Sequence, residues 1–116
     1  MTDDYTLIPI TEDMPTGADF CLVMDTDQME PLIKKGARVY ISRREAPAEM
    51  EAGLFLYRGQ VLCRQYCEDY AGNLLLLCAN PKAEGHNLCL DKIERQHCQC
   101  LGRVLLKKKA RRPIYE

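Results

Sequence analysis

Hydrophobic and polar residues alternate along short segments of the chain, with a period closer to two residues than to 3.6. This period predicts β-strands, and the segments are rich in the Val, Leu, Ile, Phe, Tyr and Cys side chains that suit strands. Turns containing Gly, Asn or Pro separate them, so we expect a mostly β domain of short antiparallel strands. Six strands are predicted, at residues 20–24, 38–42, 54–57, 61–66, 74–78 and 98–106.

The clearest hairpin covers residues 54–66, with Arg58 and Gly59 at its tip. One short helical turn is predicted at residues 28–33, where a Pro suits a first helical turn because its missing N–H would have no partner there. The charged, Ala-rich segment 43–51 is expected to form a loop or one irregular helical turn.

The β pattern occupies one continuous stretch, and 116 residues suffice for one domain that buries roughly two-thirds of the surface of its unfolded chain. We therefore expect a lead-in or linker segment at residues 1–18, one domain at residues 19–106 and a basic tail at residues 107–116.

No segment resembles a membrane anchor. The longest apolar run, residues 74–79, has six residues, whereas a spanning helix needs about 20. Residues 1–33 contain no Lys or Arg, which argues against a secretory signal. We expect a cytoplasmic protein.

The net charge of −1 conceals an uneven distribution. Residues 1–33 carry eight acidic side chains and no basic ones, whereas residues 95–116 carry seven basic side chains and one acidic. A domain that holds nucleic acid by itself usually has a strongly basic face, and here only the tail is strongly basic. The tail is open to two interpretations: it contacts DNA phosphates or an acidic partner, or, as we favour, it is a solvated terminus.

Seven cysteines and two histidines suggest a metal site, but the chain lacks the Cys-x-x-Cys pairs with which zinc sites usually begin. Residues 98 and 100 alternate with Gln99 as they would on one face of a strand, which suits small buried thiols. We expect reduced cysteines, no metal and no cofactor.

The most specific pattern lies at residues 18–36, where a predicted strand leads into Asp27, Gln28, Met29, Glu30 and Pro31, and then into a turn at Gly36. This resembles the carboxy-terminal domain of LexA and the phage repressors, the self-cleaving serine peptidase family that includes UmuD. The resemblance spans residues 19–106, because further matches follow in order. They are Gly53, the strand from Val61, the turn Asn80-Pro81 and the strand at residues 101–104. It implies a β fold like that of LexA and signal peptidase.

The family's motif is Gly-Asp-Ser-Met-Glu-Pro, in which the Ser is the nucleophile and a Lys in a later strand takes its proton. In this chain Gln28 stands in the place of the Ser, and aligning the later strand on Val61 puts Arg64 in the place of the Lys. An amide is not a usable nucleophile, and a guanidinium keeps its proton because its pKa exceeds about 12. Met29 is expected to serve packing. We therefore expect no catalytic residues and no enzymatic activity.

Ser42 is the only serine in the chain, and no Lys or His is spaced to activate it. The family's cleavage site in the preceding linker is not recognisable in residues 1–17. A peptidase with a rearranged dyad, or a groove that binds peptides without cleaving them, remain the alternatives.

The resemblance implies a dimerisation or regulatory protein-interaction domain of a bacterial or phage transcriptional regulator. In such a regulator a separate helix-turn-helix binds DNA. No helix-turn-helix pattern occurs in this chain, so we expect either an excised domain, which we favour, or a stand-alone domain. We expect it to form a homodimer. The dimer contact is expected at the last strand, as an edge strand that pairs with its symmetry mate through Leu101, Val104 and Leu105.

Overall fold

The computed structural model describes residues 5–8, 15 and 17–106. One sheet of eight antiparallel strands forms the framework of these residues, which confirms the mostly β fold. The strands are β1 (Tyr5–Ile8), β2 (Phe20–Met24), β3 (Arg38–Ser42), β4 (Ala52–Tyr57), β5 (Gln60–Glu68), β6 (Leu74–Leu77), β7 (Leu88–Leu90) and β8 (Cys98–Leu105). Two short 3-10 helices, Pro81–His86 and Glu94–His97, flank β7. The described part of the chain contains no helix that is long and apolar enough to cross a membrane.

The six predicted strands are all present, with ends that differ by up to two residues. The predicted hairpin is β4–β5, whose turn residues Arg58 and Gly59 have φ angles of 49° and 76°. Two positive φ angles are what the tight turn matching the twist of a hairpin requires. The segment 28–33 forms turns that include one helical hydrogen bond, from Ile33 N to Met29 O at 2.8 Å.

The strand order is β1-β2-β3-β8-β4-β5-β6-β7, which places β8 inside the sheet. Its carboxy-terminal part pairs with β3, as in Ser42 opposite Arg103, and residues 98–103 pair with β4. The prediction that β8 is an edge strand is therefore wrong; the sheet edges are β1 and β7. The alternation of side chains identifies a strand, but it does not tell which neighbours that strand takes.

Close approach of β8 to β3 depends on Gly102, which has a φ of 155°. A Cβ at this position would lie only 2.4 Å from the carbonyl oxygen of Ser42 and 2.7 Å from the Cγ2 of Ile41. Only a glycine lets the two backbones meet at this distance. An irregularity in the β4–β8 register falls beside it, at Leu54 and Phe55.

Two hydrophobic clusters cover opposite faces of β4, because Leu54 belongs to one and its neighbour Phe55 to the other. We call them the first and second core clusters. Each fully buried aliphatic or aromatic side chain contributes about 1.5–3 kcal/mol to folding. The first includes Met24, Met29, Ile33, Val39, Leu54 and Val104, and the second includes Phe55, Tyr57, Leu62, Leu74, Leu76 and Leu90.

β1 and β7 are not among the predicted strands. β1 lies in the segment 1–18 that we predicted as a lead-in, and it pairs with β2 from Tyr5 opposite Met24 to Ile8 opposite Cys21. β7 has only three residues, too few for a period to be recognised. The predicted tail, residues 107–116, lies outside the described residues.

Candidate functional site

The chain leaves β2 in a turn that carries the motif residues. Thr26 Oγ1 accepts a hydrogen bond from the backbone N–H of Gln28 at 2.9 Å, and Asp27 O accepts one from Glu30 N at 3.0 Å. Met29, with 1% of its surface exposed, anchors the turn in the first core cluster, as expected of a packing residue. Burial of Met29 on one side and local hydrogen bonds on the other fix the direction in which Gln28 points.

Gln28 meets Arg64 in this structure. Nη2 of Arg64 donates a hydrogen bond to Oε1 of Gln28 at 2.9 Å, and Nη1 donates to the carbonyl oxygen of Cys63 at 2.7 Å. Arg64 lies in the middle of β5, opposite Gly53 of β4, and only 3% of its surface is exposed. The two positions that the resemblance assigns to nucleophile and base are therefore in direct contact, although 36 residues separate them in the sequence.

Asn80 fastens the motif turn to the start of the first 3-10 helix. Its Nδ2 donates to Asp27 O at 2.9 Å, its backbone N–H donates to Gln28 O at 3.0 Å, and its Oδ1 caps the helix by accepting from Lys82 N at 3.0 Å. Sequence reasoning noted Asn80-Pro81 only as a matching turn. An Asn directly before a Pro is a typical start of a helix. That signal identifies Asn80 as a helix cap, but it does not reveal that Asn80 also bonds to the motif turn.

The other motif residues shape the turn. Glu30 Oε2 accepts a hydrogen bond from Lys35 N at 3.0 Å, which closes the loop between the motif and Gly36. The Asp27 and Pro31 side chains are exposed. Two of the four motif residues beside Gln28 therefore hold the conformation of the turn. Met29 does so from within the core, and Glu30 does so by its hydrogen bond outside the core.

Ser42 does not belong to this site. It lies at the end of β3 and is 3% exposed, with β8 and β4 between it and β5. Three strand spacings correspond to roughly 14 Å, too far for Ser42 to contact Arg64.

The cysteines form no disulfide and no metal cluster within the residues that the structure describes. Cys98 is half-buried and Cys100 is exposed, so the expectation of two buried thiols is wrong. Partial desolvation raises the pKa of both thiols, which lie two residues apart on β8. A raised pKa leaves less thiolate, which lowers the nucleophilicity of these side chains.

A second polar cluster, which sequence reasoning missed, ties the β4–β5 hairpin to the second 3-10 helix. The Tyr57 hydroxyl and the Arg58 guanidinium both donate to Oε1 of Glu94, and the guanidinium of Arg58 lies over the Tyr57 ring at 5.3 Å. The hydrogen bond from Tyr57 lowers the pKa of Glu94, with Arg58 adding to the effect. These three side chains form a structural contact that holds the hairpin tip. They do not form a nucleophilic site.

The residues expected at a dimer contact differ in exposure. Val104 is 4% exposed and packs in the first core cluster, whereas Leu101 and Leu105 are half-buried. A buried side chain cannot lie on a contact surface, so Val104 is not available for one in this conformation. Leu105 and Leu106 line an open groove of about 320 Å³ beside the segment that follows Pro31.

Comparison with known protein families identifies a match that covers most of the chain. The family model described as Peptidase S24-like matches residues 2–105. No curated protein matches the chain.

Proposed function

This chain belongs to the Peptidase S24-like family, and from that premise we propose that it is a catalytically inactive member. Its role is then self-association or contact with a regulatory protein, as part of a bacterial or phage transcriptional regulator of the LexA and phage-repressor type. A separate helix-turn-helix would bind DNA, and the domain would hold two copies together in a homodimer.

The observation that carries the proposal is the hydrogen bond between Gln28 and Arg64. Acyl transfer by a serine peptidase needs a hydroxyl that loses its proton to a neutral base. The Gln28 side chain offers an amide, which is a poor nucleophile, and the guanidinium of Arg64 has no accessible neutral form. The same contact also has a structural use, because it joins the motif turn to β5 in place of a catalytic pair.

A rearranged peptidase is the first alternative, and the geometry disfavours it. Ser42, the only serine, is buried about three strands away from Arg64. A groove that binds an extended peptide without cleaving it is the second alternative. This alternative is supported by the polar side chains of Gln28 and Arg64, which lie together at one place.

Incubation of the chain, joined to the upstream linker of an active S24 peptidase that contains its cleavage site, from neutral to alkaline pH, followed by intact-mass spectrometry, tests the proposal. An active S24 peptidase treated in parallel controls for conditions. We expect the mass of this chain to stay unchanged while the control cleaves itself. A discrete pair of fragments that sum to the intact mass plus one water would overturn the proposal.

A further inference from the structure

An apolar groove opens where the carboxy-terminal end of β8 meets the segment that follows the motif turn. We call it the terminal groove; it is lined by residues 31–34, 37–39 and 104–106. Its volume of about 320 Å³ falls within the range of about 300–1,000 Å³ that is typical of pockets for small ligands. Such pockets are mostly apolar and carry a few polar groups that orient the ligand, and the terminal groove has both features.

The apolar lining of the terminal groove is part of the core. Ile33, Val39 and Val104 belong to the first core cluster and are at most 4% exposed, so packing fixes their positions. Leu32 and Leu106 pack against that cluster and are half-buried, so part of each side chain is open to the groove. A preformed apolar lining favours binding of an apolar group, because little of the protein must be ordered when the ligand arrives.

The polar lining residues of the terminal groove are two cations. Lys34 and Arg38 are exposed, and no acidic residue lines the groove. Within the part of the chain that the structure describes, neither of these side chains forms a hydrogen bond or an ion pair. They differ in this from Arg58, Arg95 and Arg103, each of which pairs with a carboxylate. Both cations are therefore available to a ligand.

The charges next to the lining residues have the same sign preference. Glu30, the acidic residue directly before Pro31, accepts a hydrogen bond from the backbone N–H of Lys35 at 3.0 Å, so its carboxylate already has a partner. Leu106, the last lining residue, is followed in the sequence by three lysines at residues 107–109. A groove whose polar groups are cationic attracts an anion and repels a cation.

We propose that the terminal groove binds a small amphiphilic anion, namely a free carboxylate with a hydrocarbon chain. The chain lies against the apolar lining, and the carboxylate reaches Lys34 and Arg38, whose guanidinium can donate to both carboxylate oxygens. The apolar lining gives little to an anion without a hydrocarbon part, and the two cations disfavour a positively charged amphiphile. This site goes beyond the proposed function and does not depend on it.

Titration of the isotope-labelled full chain with decanoate, below the concentration at which decanoate forms micelles, tests the site by NMR. We expect saturable one-to-one binding, with the largest shifts at residues 32–39 and 104–106. Two ligands serve as matched controls: decyltrimethylammonium has the same chain and the opposite charge, and acetate has the same charge and no chain. Each should bind about tenfold or more weakly than decanoate. High salt should weaken the binding of decanoate, because it screens the exposed cations.

Variants of the exposed cations separate the role of charge from that of the fold. Lys34→Gln and Arg38→Gln should each weaken the binding of decanoate by about two- to fivefold, the effect expected of an exposed ion pair. Lys82→Gln removes an exposed lysine of the first 3-10 helix and is the matched control, with unchanged affinity.

A pair of lining variants gives a second comparison. Leu105→Glu and Leu105→Lys both replace a half-buried lining residue by a long charged one. The Glu variant should bind decanoate about tenfold more weakly than the Lys variant, because only the Glu carboxylate repels the ligand. Since both variants disturb the packing alike, the difference between them reports the charge of the ligand.

Four results would overturn the inference. The first is the absence of saturable shifts at the groove, and the second is equal affinity for decanoate and decyltrimethylammonium. The third is binding to vesicles of anionic phospholipid without binding of free decanoate, which would assign this face to a membrane. The fourth is contact of the groove methyl groups with residues 107–116 that decanoate does not displace, which would assign the groove to the chain's own terminus. Each of these results leaves the proposed function untouched, because the alkaline incubation tests catalytic inactivity separately.

Discussion

Oε1 of Gln28 accepts a hydrogen bond from Nη2 of Arg64 at 2.9 Å, across the gap between the turn after β2 and the middle of β5. The resemblance to the family assigns the nucleophile and the base to these two positions. Here an amide oxygen and a guanidinium form a stable, neutral-to-cation hydrogen bond, a type of contact that is stronger than a bond between neutral groups. The pair therefore gives the motif turn a structural link to β5.

Replacing Gln28 by Leu should destabilise the domain, because Arg64 loses an acceptor in a buried place. The expected loss in the free energy of unfolding is about 1–3 kcal/mol. Gln28→Glu keeps an oxygen acceptor of similar reach and should retain most of the stability. Urea denaturation of the three proteins measures both effects, and equal stability of the Leu and Glu variants would show that the contact contributes nothing.

Asn80→Ala should loosen the motif turn and the first 3-10 helix together, since Asn80 bonds to Asp27 O and to Lys82 N. Loss of a helix cap costs about 1 kcal/mol, within a range of 0.5–2. Asn80→Asp preserves the capping oxygen but not the donor to Asp27 O, so its loss should be smaller. Hydrogen exchange at the Gln28 amide should speed up in both variants, because both lose the donor to Asp27 O; unchanged exchange would argue against the coupling of turn and helix.

The strands and the hairpin could be predicted because their alternation is local. Each of the six predicted strands exists, and Arg58-Gly59 forms the turn of β4–β5. The place of β8 in the sheet could not be predicted, because strand order depends on contacts between distant segments. Gly102 allows β8 to pair with β3 because it has no Cβ. From the sequence alone, however, a single glycine in a strand indicates only a bulge or a close approach of another backbone.

The candidate site was predictable only in part. The resemblance singled out Gln28 and Arg64, and the structure brings these two side chains together. The role of Asn80 in holding Asp27 could not be predicted, because the partners are 53 positions apart in the sequence and the bond is made to a backbone oxygen. The link from Tyr57 and Arg58 to Glu94 was missed for the same reason, since no local pattern marks a contact between a hairpin tip and a distant helix.

Gly102→Ala should be strongly destabilising, because the added Cβ would lie 2.4 Å from Ser42 O. We expect a loss of about 1–3 kcal/mol or more, as for other forced overpacking. Gly85→Ala is the control, since its Cβ would meet nothing within 4 Å. Thermal unfolding of both variants measures the difference. Similar midpoints for the two would contradict the close approach of β8 to β3.

Acid should weaken the tie between the hairpin tip and the second 3-10 helix. The hydrogen bonds of Tyr57 and Arg58 lower the pKa of Glu94 from its ordinary value of 4.5. A carboxyl whose folded pKa is depressed stabilises the fold above its unfolded pKa, and that contribution disappears as the pH falls through the lower, folded value. The chain should therefore lose stability below about pH 4.5, and Glu94→Gln should lose less over the same range. Denaturation at a series of pH values measures this loss, and Glu84→Gln, at an exposed position, is the control. Parallel profiles of stability against pH for the unmodified chain and Glu94→Gln would refute the prediction.

The central claim is that no serine nucleophile operates in this domain, and labelling with a serine-reactive fluorophosphonate measures it most directly. Intact-mass spectrometry after incubation at alkaline pH reports any adduct, with an active S24 peptidase as the positive control. We predict that the control gains the mass of one probe and that this chain gains none. An adduct on Ser42, the only serine in the sequence, would contradict the claim, because it would show that an activated serine survives in the fold.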